Sequence, residues 1–411
     1  MDPTIRHVTS EELPAFITAM NAAFLEHNDA EKVAAEVRTL WDLHRVWSAF
    51  DDRRLVATFR SQATELTVPG CGRVPGSAIA AVTVMPDHRR QGLLRRMVAA
   101  EHAAARERGE VVALLYAAEY AIYGRFGYGP ACAEATWTLE ARGAEFRGEP
   151  AGSVEIATAD EATRDAMIGV FDAWRARSAG EIARSDYGWD FDLGLRPSAW
   201  SDPAWKGTIA LHRDASGVVN GYARYHVEGD HWERRQPRNT IIVDDMHALD
   251  AVGHVDLWRF VAGLDWVAMV KAEHRFPSEP LPWLLLNGRA ATLTESGDGL
   301  WVRLLDVPRA LAARTYERDG SLVLEVIDAE SVDGKVRLAL ETGPDGATCH
   351  PTDRLADLTL DVAALGAAYL GGTPLRHAVL ARGVDEHTAG ALARADAMFR
   401  TAAEPWCSTF F

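Results

Sequence analysis

One junction constrains this chain more than any other feature. An apolar run rich in β-branched residues, Ala78–Met85 (AIAAVTVM), stops at Pro86-Asp87-His88-Arg89-Arg90-Gln91-Gly92. Apolar residues then recur at helical spacing, from Leu93 and Leu94 through Met97 and Val98 towards Arg108. The run reads as a buried strand, the polar stretch as a turn, and the spacing after it as an amphipathic helix. A second apolar stretch, Glu110–Tyr116 (EVVALLY), follows at once. Strand, loop, helix and strand in that order make a crossover unit, and the fold class that accommodates it is α/β.

This junction has chemical consequences. The first amides of a helix have no internal partner and lie at the positive end of its dipole, so they receive a diphosphate well. Gly92 allows the backbone to approach such a ligand closely. Arg89, Arg90 and Arg95 add positive charge. The edge of Val82, Thr83 and Val84 can pair with amides of an extended ligand arm as an added strand would. The G-x-x-x-x-G-K-[ST] and G-x-G-x-x-G patterns of other phosphate loops are missing here. A diphosphate joined to an amide-bearing arm describes coenzyme A.

At 411 residues the chain is long enough for two or three domains. A stretch of glycine and small or polar residues, 143–153, marks a first boundary, giving domains over 1–145, 146–295 and 296–411. In the first, a helix runs from a cap at Ser10 to about Phe24. Strands are expected over Arg54–Thr58, Glu65–Val68 and the alternating segment around Trp137. The second mixes helices (Asp160–Ala179, Val255–Leu264) with strands (Gly221–Val227, Thr240–Asp244, Trp266–Lys271). It lacks a glycine-rich phosphate loop and is expected to hold no coenzyme A. The third opens on Leu300–Leu305 and a helix begun by Asp306-Val307-Pro308. Strands follow at Ser321–Ile327 and Lys335–Glu341, and helices at Leu365–Leu370 and His387–Arg400. The chain ends in Trp406-Cys407-Ser408-Thr409-Phe410-Phe411, an aromatic tail whose burial would give it a role.

A net charge of -16 argues against nucleic acid and against an anionic membrane, and suits cationic amines. Four well-separated cysteines and scattered histidines give no metal spacing, so no metal site is expected. The first residues lack the basic start and apolar core of a secretory signal, and no apolar run is long enough to span a bilayer. A cytoplasmic location is the expectation.

The motif Val82–Arg95 resembles the acyl-CoA loop of the GNAT superfamily of N-acetyltransferases. Several further segments narrow the resemblance to the enhanced intracellular survival (Eis) family: Ile122-Tyr123-Gly124-Arg125-Phe126-Gly127-Tyr128-Gly129, Leu66-Thr67-Val68-Pro69-Gly70, Asp298-Gly299-Leu300-Trp301, Tyr369-Leu370-Gly371 and terminal Phe411. The resemblance covers essentially the whole chain. It implies tandem GNAT-like domains with mixed α/β sheets, the second degenerate, followed by a C-terminal sterol-carrier-like α+β domain. It also implies a homohexamer that acetylates aminoglycosides, polyamine-like amines or lysine side chains from acetyl-CoA.

Carried over residue by residue, the resemblance sets Val82, Thr83 and Val84 against the pantetheine arm. Arg90, Gln91, Gly92, Leu93, Leu94 and Arg95, with Arg89 beside them, hold the pyrophosphate. Ala118 and Glu119 make a second coenzyme contact, Tyr123 is the general acid and the Phe411 carboxylate the general base. Phe24 and Glu26 line the amine pocket. Two positions depart from the family pattern: Ala118 stands where a serine is frequent, and Phe410 where an acid can help bind polycations. The second departure counts against efficient aminoglycoside acetylation. No nucleophile constellation accompanies the acid and base, so direct attack in a ternary complex is expected. The competing reading is a lipid-binding or coenzyme-sensing protein with a silent acetyltransferase domain.

Overall fold

The computed structural model describes residues 2–200, 204–229, 232–331, 333–381 and 383–411. The chain forms two compact units. One holds residues 1–132, 198–202 and 299–411; the other holds 133–197 and 203–298.

In the first unit, a seven-stranded sheet carries β1 (Thr4–His7), β2 (Val46–Asp51), β3 (Arg54–Thr67), β4 (Arg73–Val84), β5 (Val112–Tyr116) and β6 (Gly129–Pro130). The strand Leu300–Leu304 lies between β5 and β6. Four helices belong to this part: α1 (Leu13–Phe24), α2 (Ala30–Val37), α3 (Leu93–Glu107) and α4 (Tyr120–Tyr123). The first four strands run antiparallel, whereas β4 and β5 are parallel. A parallel pair needs a crossover, and α3 supplies it.

Side chains alternate across the sheet and separate two cores. On one face Phe59, Ile79, Ala113 and Leu115 pack with Leu93, Met97 and Val98 of α3. On the other, Val46, Phe50 and Leu55 pack with Leu13, Phe16 and Ile17 of α1 and Val33 of α2. Each such large side chain contributes roughly 1.5–3 kcal/mol by leaving water. A fully buried carboxylate fixes α3 over the sheet. Glu101 accepts from Ser61 (2.7 Å), Ser77 (2.8 Å), Trp47 (2.9 Å) and Arg108 (2.6 Å). A buried charge is tolerated only with this degree of satisfaction.

The remainder of the first unit holds a five-stranded sheet, in the order Gly346–Pro351, Lys335–Gly343, Gly320–Ile327, Leu358–Asp361 and Val384–Glu386. The helices Val307–Ala313, Val362–Ala368, Leu375–Leu380 and Ala391–Phe399 accompany it.

The second unit contains another seven-stranded sheet. Its order is Ala291–Asp298, Ala133–Glu140, Val267–Arg275, Asn239–Ala248, Val219–Glu228, Thr208–Arg213 and Ser153–Ala157. The strand that carries Trp137 therefore pairs here. The helix Ala251–Ala262 follows the strand Asn239–Ala248 and is capped by the Asp250 carboxylate, which accepts from the Gly253 amide at 2.8 Å. A negative group already occupies that helix end, which opposes a second anion there.

All four cysteines are free thiols. Among the described residues no helix is long and apolar enough to cross a membrane.

Several elements differ from the sequence expectations. Arg54–Thr58 and most of Glu65–Val68 are parts of one long strand, β3, which ends at Thr67. Its polar middle, Arg60–Thr64, hides the continuity. The helix expected over Leu365–Leu370 starts earlier, at Val362, because the Asp361 side chain accepts from the Ala364 amide at 2.6 Å. The helix expected from His387 starts at Ala391, after Gly390 in the left-handed region.

Candidate active site

The site is built on a gap between β4 and β5. The two strands pair only from Gly76–Ala78 to Val112–Leu114. Beyond Ala78, β4 continues to Val84 with its other edge held by β3. The edge of Val82–Val84 that faces away from β3 therefore has no strand partner among the described residues. A bulge accentuates the divergence: between Thr58 and Arg60 the register shifts, and Ala81 adopts φ 52. Bulges twist a strand and re-aim its groups.

Two threonines pin that bulge. The Thr58 hydroxyl donates to the Ala81 carbonyl at 2.7 Å and lies 2.6 Å from the Thr83 hydroxyl. Since Thr58 has one proton to give, Thr83 is the donor in the second contact. The Thr83 side chain is thus committed to the sheet, and only its backbone faces outward.

The loop after β4 leads to an open helix end. Arg90 (φ 64) and Gly92 (φ 77) both sit in the left-handed region. A Cβ on Gly92 would meet nothing within 4 Å, so the space above it is clear. No side chain caps α3 and no acid stands in its first turn, whereas α2 is capped by Asp29. Leu93 and Leu94 anchor this end in the core, which leaves their amides as the groups on offer. Among the described residues Arg89, Arg90 and Arg95 have no carboxylate partner, and Arg89 bonds the Val84 carbonyl at 3.4 Å. Arg96, the next residue, is tied to Asp2 at 2.9 Å. Uncapped amides beside three guanidinium groups without a carboxylate partner among the described residues can receive a diphosphate.

The far side of the gap carries the acid candidate. After β5, Ala118 and Glu119 are exposed, and α4 then buries Tyr123 in the cluster that holds Leu93 and Met97, with Val82 and Val84 packed against it. Burial, with a smaller contribution from the Glu119 charge, pushes the Tyr123 phenol up to about 12. Its ring meets Tyr128 edge-on at 6.1 Å. Tyr128 in turn bonds His102 Nε2 at 2.7 Å, and His102 Nδ1 lies 2.8 Å from Glu330.

The chain terminus arrives at the same strand end. Trp406, Cys407 and Thr409 are buried. Tyr116, the last residue of β5, donates its phenol to the Thr409 carbonyl at 3.0 Å. Its ring lies 4.7 Å from Phe410 and 5.4 Å from Phe411. Phe24 and Glu26, by contrast, lie at the exposed end of α1, where Glu26 accepts from the Asn28 side chain at 2.9 Å.

Three residues that the sequence did not single out border the bulge. Trp41, Trp200, Ala81 and Met85 all pack against the core beneath α1, the two tryptophan rings 6.5 Å apart. Arg60 stacks on Trp41, its guanidinium 5.0 Å from the ring centroid. They have no motif of their own; only folding gathers positions 41, 60 and 200.

A cavity of about 310 Å³ lies elsewhere, lined by Arg106, Glu110, Pro308, Asp328 and Glu330 among others. It sits towards the C-terminal end of α3, roughly 20 Å along the helix from Gly92. It is therefore distinct from the gap. Among the described residues no group of three or more His, Cys, Asp or Glu side chains is placed to hold a metal ion.

Comparison with known proteins agrees with this architecture. Residues 4–131 and 180–304 match two families described as acetyltransferase (GNAT) domains, and residues 307–408 match a sterol carrier protein domain. A protein of Streptomyces griseus named as an uncharacterised N-acetyltransferase is 41% identical, with all of both chains covered. N-acetyltransferase Eis of Mycobacterium tuberculosis is 36% identical across 74% of this chain and 73% of its own. The crystal structure of Eis1 from Mycobacterium abscessus superposes with a TM-score of 0.85 at 31% identity, covering 99% of this chain and all of that one. The chain belongs to the Eis family of GNAT-superfamily N-acetyltransferases.

Proposed function

We propose that the chain moves the acetyl group of acetyl-CoA to the nitrogen of a primary amine within a ternary complex. The observation that carries this reading is the conjunction of an uncapped, arginine-flanked helix end with an unpaired β4 edge leading from it to a buried tyrosine. In this reading the amides of Gly92–Arg95, with Arg89, Arg90 and Gln91, grip the pyrophosphate. Val82–Val84 align the pantetheine, and Ala118 and Glu119 contact the coenzyme from the β5 side. Acceptors are aminoglycoside, polyamine-like or lysine side-chain amines, with Phe24 and Glu26 at the pocket's rim. The working assembly is a homo-oligomer, expected to be a hexamer, and it acts in the cytoplasm.

The proton accounting assigns the two ends of the gap. An acceptor amine with a pKa near ~10.4 arrives as an ammonium. Its first proton passes to the Phe411 carboxylate, through water, and on to solvent. The free nitrogen attacks the thioester carbon, the C–S bond breaks, and the sulfur needs a proton. A full transfer from a phenol at about 12 to a thiolate of ordinary pKa ~8.5 runs uphill by about 5 kcal/mol. That cost is avoided when Tyr123 gives its proton to sulfur and takes the nitrogen's second proton in the same event. Tyr123 then never stands as a phenolate, and burial serves to keep it loaded.

Thiol release from acetyl-CoA with a panel of amines tests the reading. Amine-dependent release is expected. Coenzyme binding with no release for any amine would leave the coenzyme-sensing alternative in its place.

A further inference from the structure

The acceptor side of the gap contains a cation that no carboxylate among the described residues balances. Arg60 lies on β3 opposite Ala80, next to the bulge at Ala81. Its side chain bonds the Gln62 amide oxygen at 2.9 Å and stacks on Trp41. Among the described residues no carboxylate pairs with it. Its partial burial lowers its titration to about 10, so the group stays charged at neutral pH. A half-buried cation without a carboxylate partner is well placed to receive an anion.

The sheet determines what it faces. Arg60 and Gln62 pair with Ala80 and Ala78, and Ala78 pairs with Leu114, so these residues share a face with Tyr116. Ser61 and Ser77 point the other way, to Glu101 beneath α3. Arg60 therefore looks away from α3 and towards Trp41, beside Trp200 and Ala81. The terminal Phe411 stacks on Tyr116 at the β5 side of that same face. Arg60 and the Tyr116 ring against which Phe411 packs thus lie on one face of the sheet, with the partly exposed Ala80 of β4 between them.

We infer that the acceptor is an amine that also carries an acidic group: its ammonium meets the Phe411 carboxylate, and its carboxylate meets Arg60 and Gln62. Two strand spacings, about 10 Å, separate β3 from β5 where both pair with β4, and the gap beyond Ala78 widens that distance. The amine and the acid of the acceptor are accordingly several bonds apart, as in an ω-amino acid. An aminoglycoside, whose ionised groups are all cationic, would place a like charge against Arg60, so among the acceptors proposed above this disfavours the aminoglycosides. This inference rests on the acetyl-transfer reading above.

The test uses matched amines, 6-aminohexanoate and 1-aminohexane, on the full-length protein. The wild type is expected to favour 6-aminohexanoate in kcat/KM by about tenfold or more, the scale of a hydrogen bond to a charged group. Arg60→Gln should abolish that preference and leave the KM for acetyl-CoA unchanged, while Arg60→Lys restores part of it. Arg60→Gln breaks no ion pair, so its Tm should match or exceed the wild type. Preference for 1-aminohexane, or an undiminished acid preference in Arg60→Gln, would overturn the inference. If neither amine is turned over, the transfer reading fails separately. Calorimetric binding of N-acetyl-6-aminohexanoate against N-hexylacetamide to the coenzyme-loaded protein then decides. Acid-selective binding lost in Arg60→Gln supports the inference, and equal binding of both overturns it.

Discussion

Tyr116 donates its phenol to the carbonyl of Thr409 at 3.0 Å, so the end of β5 holds the last residues of the chain. The strand that diverges from β4 to open the gap is the one that secures the terminal carboxylate. Tyr116→Phe removes the bond and keeps most of the stacking on Phe410 and Phe411. We expect a loss of about threefold to tenfold in amine kcat/KM, the worth of one neutral hydrogen bond, with coenzyme affinity unchanged. A one-residue extension after Phe411 moves the carboxylate and should cost more. Steady-state kinetics at saturating acetyl-CoA reads both; wild-type rates in both variants would remove the terminus from the chemistry.

Tyr123→Phe keeps the ring in its cluster and removes the proton. Turnover should fall by roughly 10²–10⁴, the usual worth of general acid catalysis, while the Kd for coenzyme A stays within about twofold. A parallel loss of binding would make Tyr123 a packing residue.

Gly92→Ala separates conformation from ligand contact. A left-handed alanine costs about 1–2 kcal/mol, and no neighbour within 4 Å adds a clash in the free protein. Unfolding should shift only by that amount. Coenzyme affinity should fall at least about tenfold, because the methyl group occupies the approach to the helix amides. An unchanged affinity would place the phosphates elsewhere.

The Tyr123 phenol also fixes a pH window. Its folded value, raised to about 12 chiefly by burial and then by Glu119, exceeds the unfolded value near ~10. The folded state therefore binds the proton more tightly between these values. The resulting stabilisation is complete below pH ~10 and disappears as pH rises through about 12. Denaturant unfolding of wild type and Tyr123→Phe should show the wild type losing more stability across that window. Identical pH profiles would mean that the phenol is not desolvated.

The sequence made the local parts of the site legible and left the long-range parts hidden. The β4–loop–α3 junction carries its own periodicity and its own turn chemistry, and the helix begins after Gly92 as its residues indicate. Nothing near Leu300–Leu304 tells that it enters a sheet between β5 and β6, far away along the chain. Such pairing depends on edges that exist only after folding. The same holds for Arg60, which reads as an ordinary strand cation until folding sets Trp41 against it. Phe24 and Glu26, which only the family resemblance set at the amine pocket, lie exposed at and just beyond the end of α1.

The whole account depends on coenzyme A being held at the open end of α3. Titration calorimetry of coenzyme A into the purified protein tests this most directly. A saturable single-site isotherm is expected, with a Kd in the region of ~1–100 μM, weakened by added salt and by Gly92→Ala. Absence of any binding heat at about 1 mM coenzyme would contradict the account at its foundation.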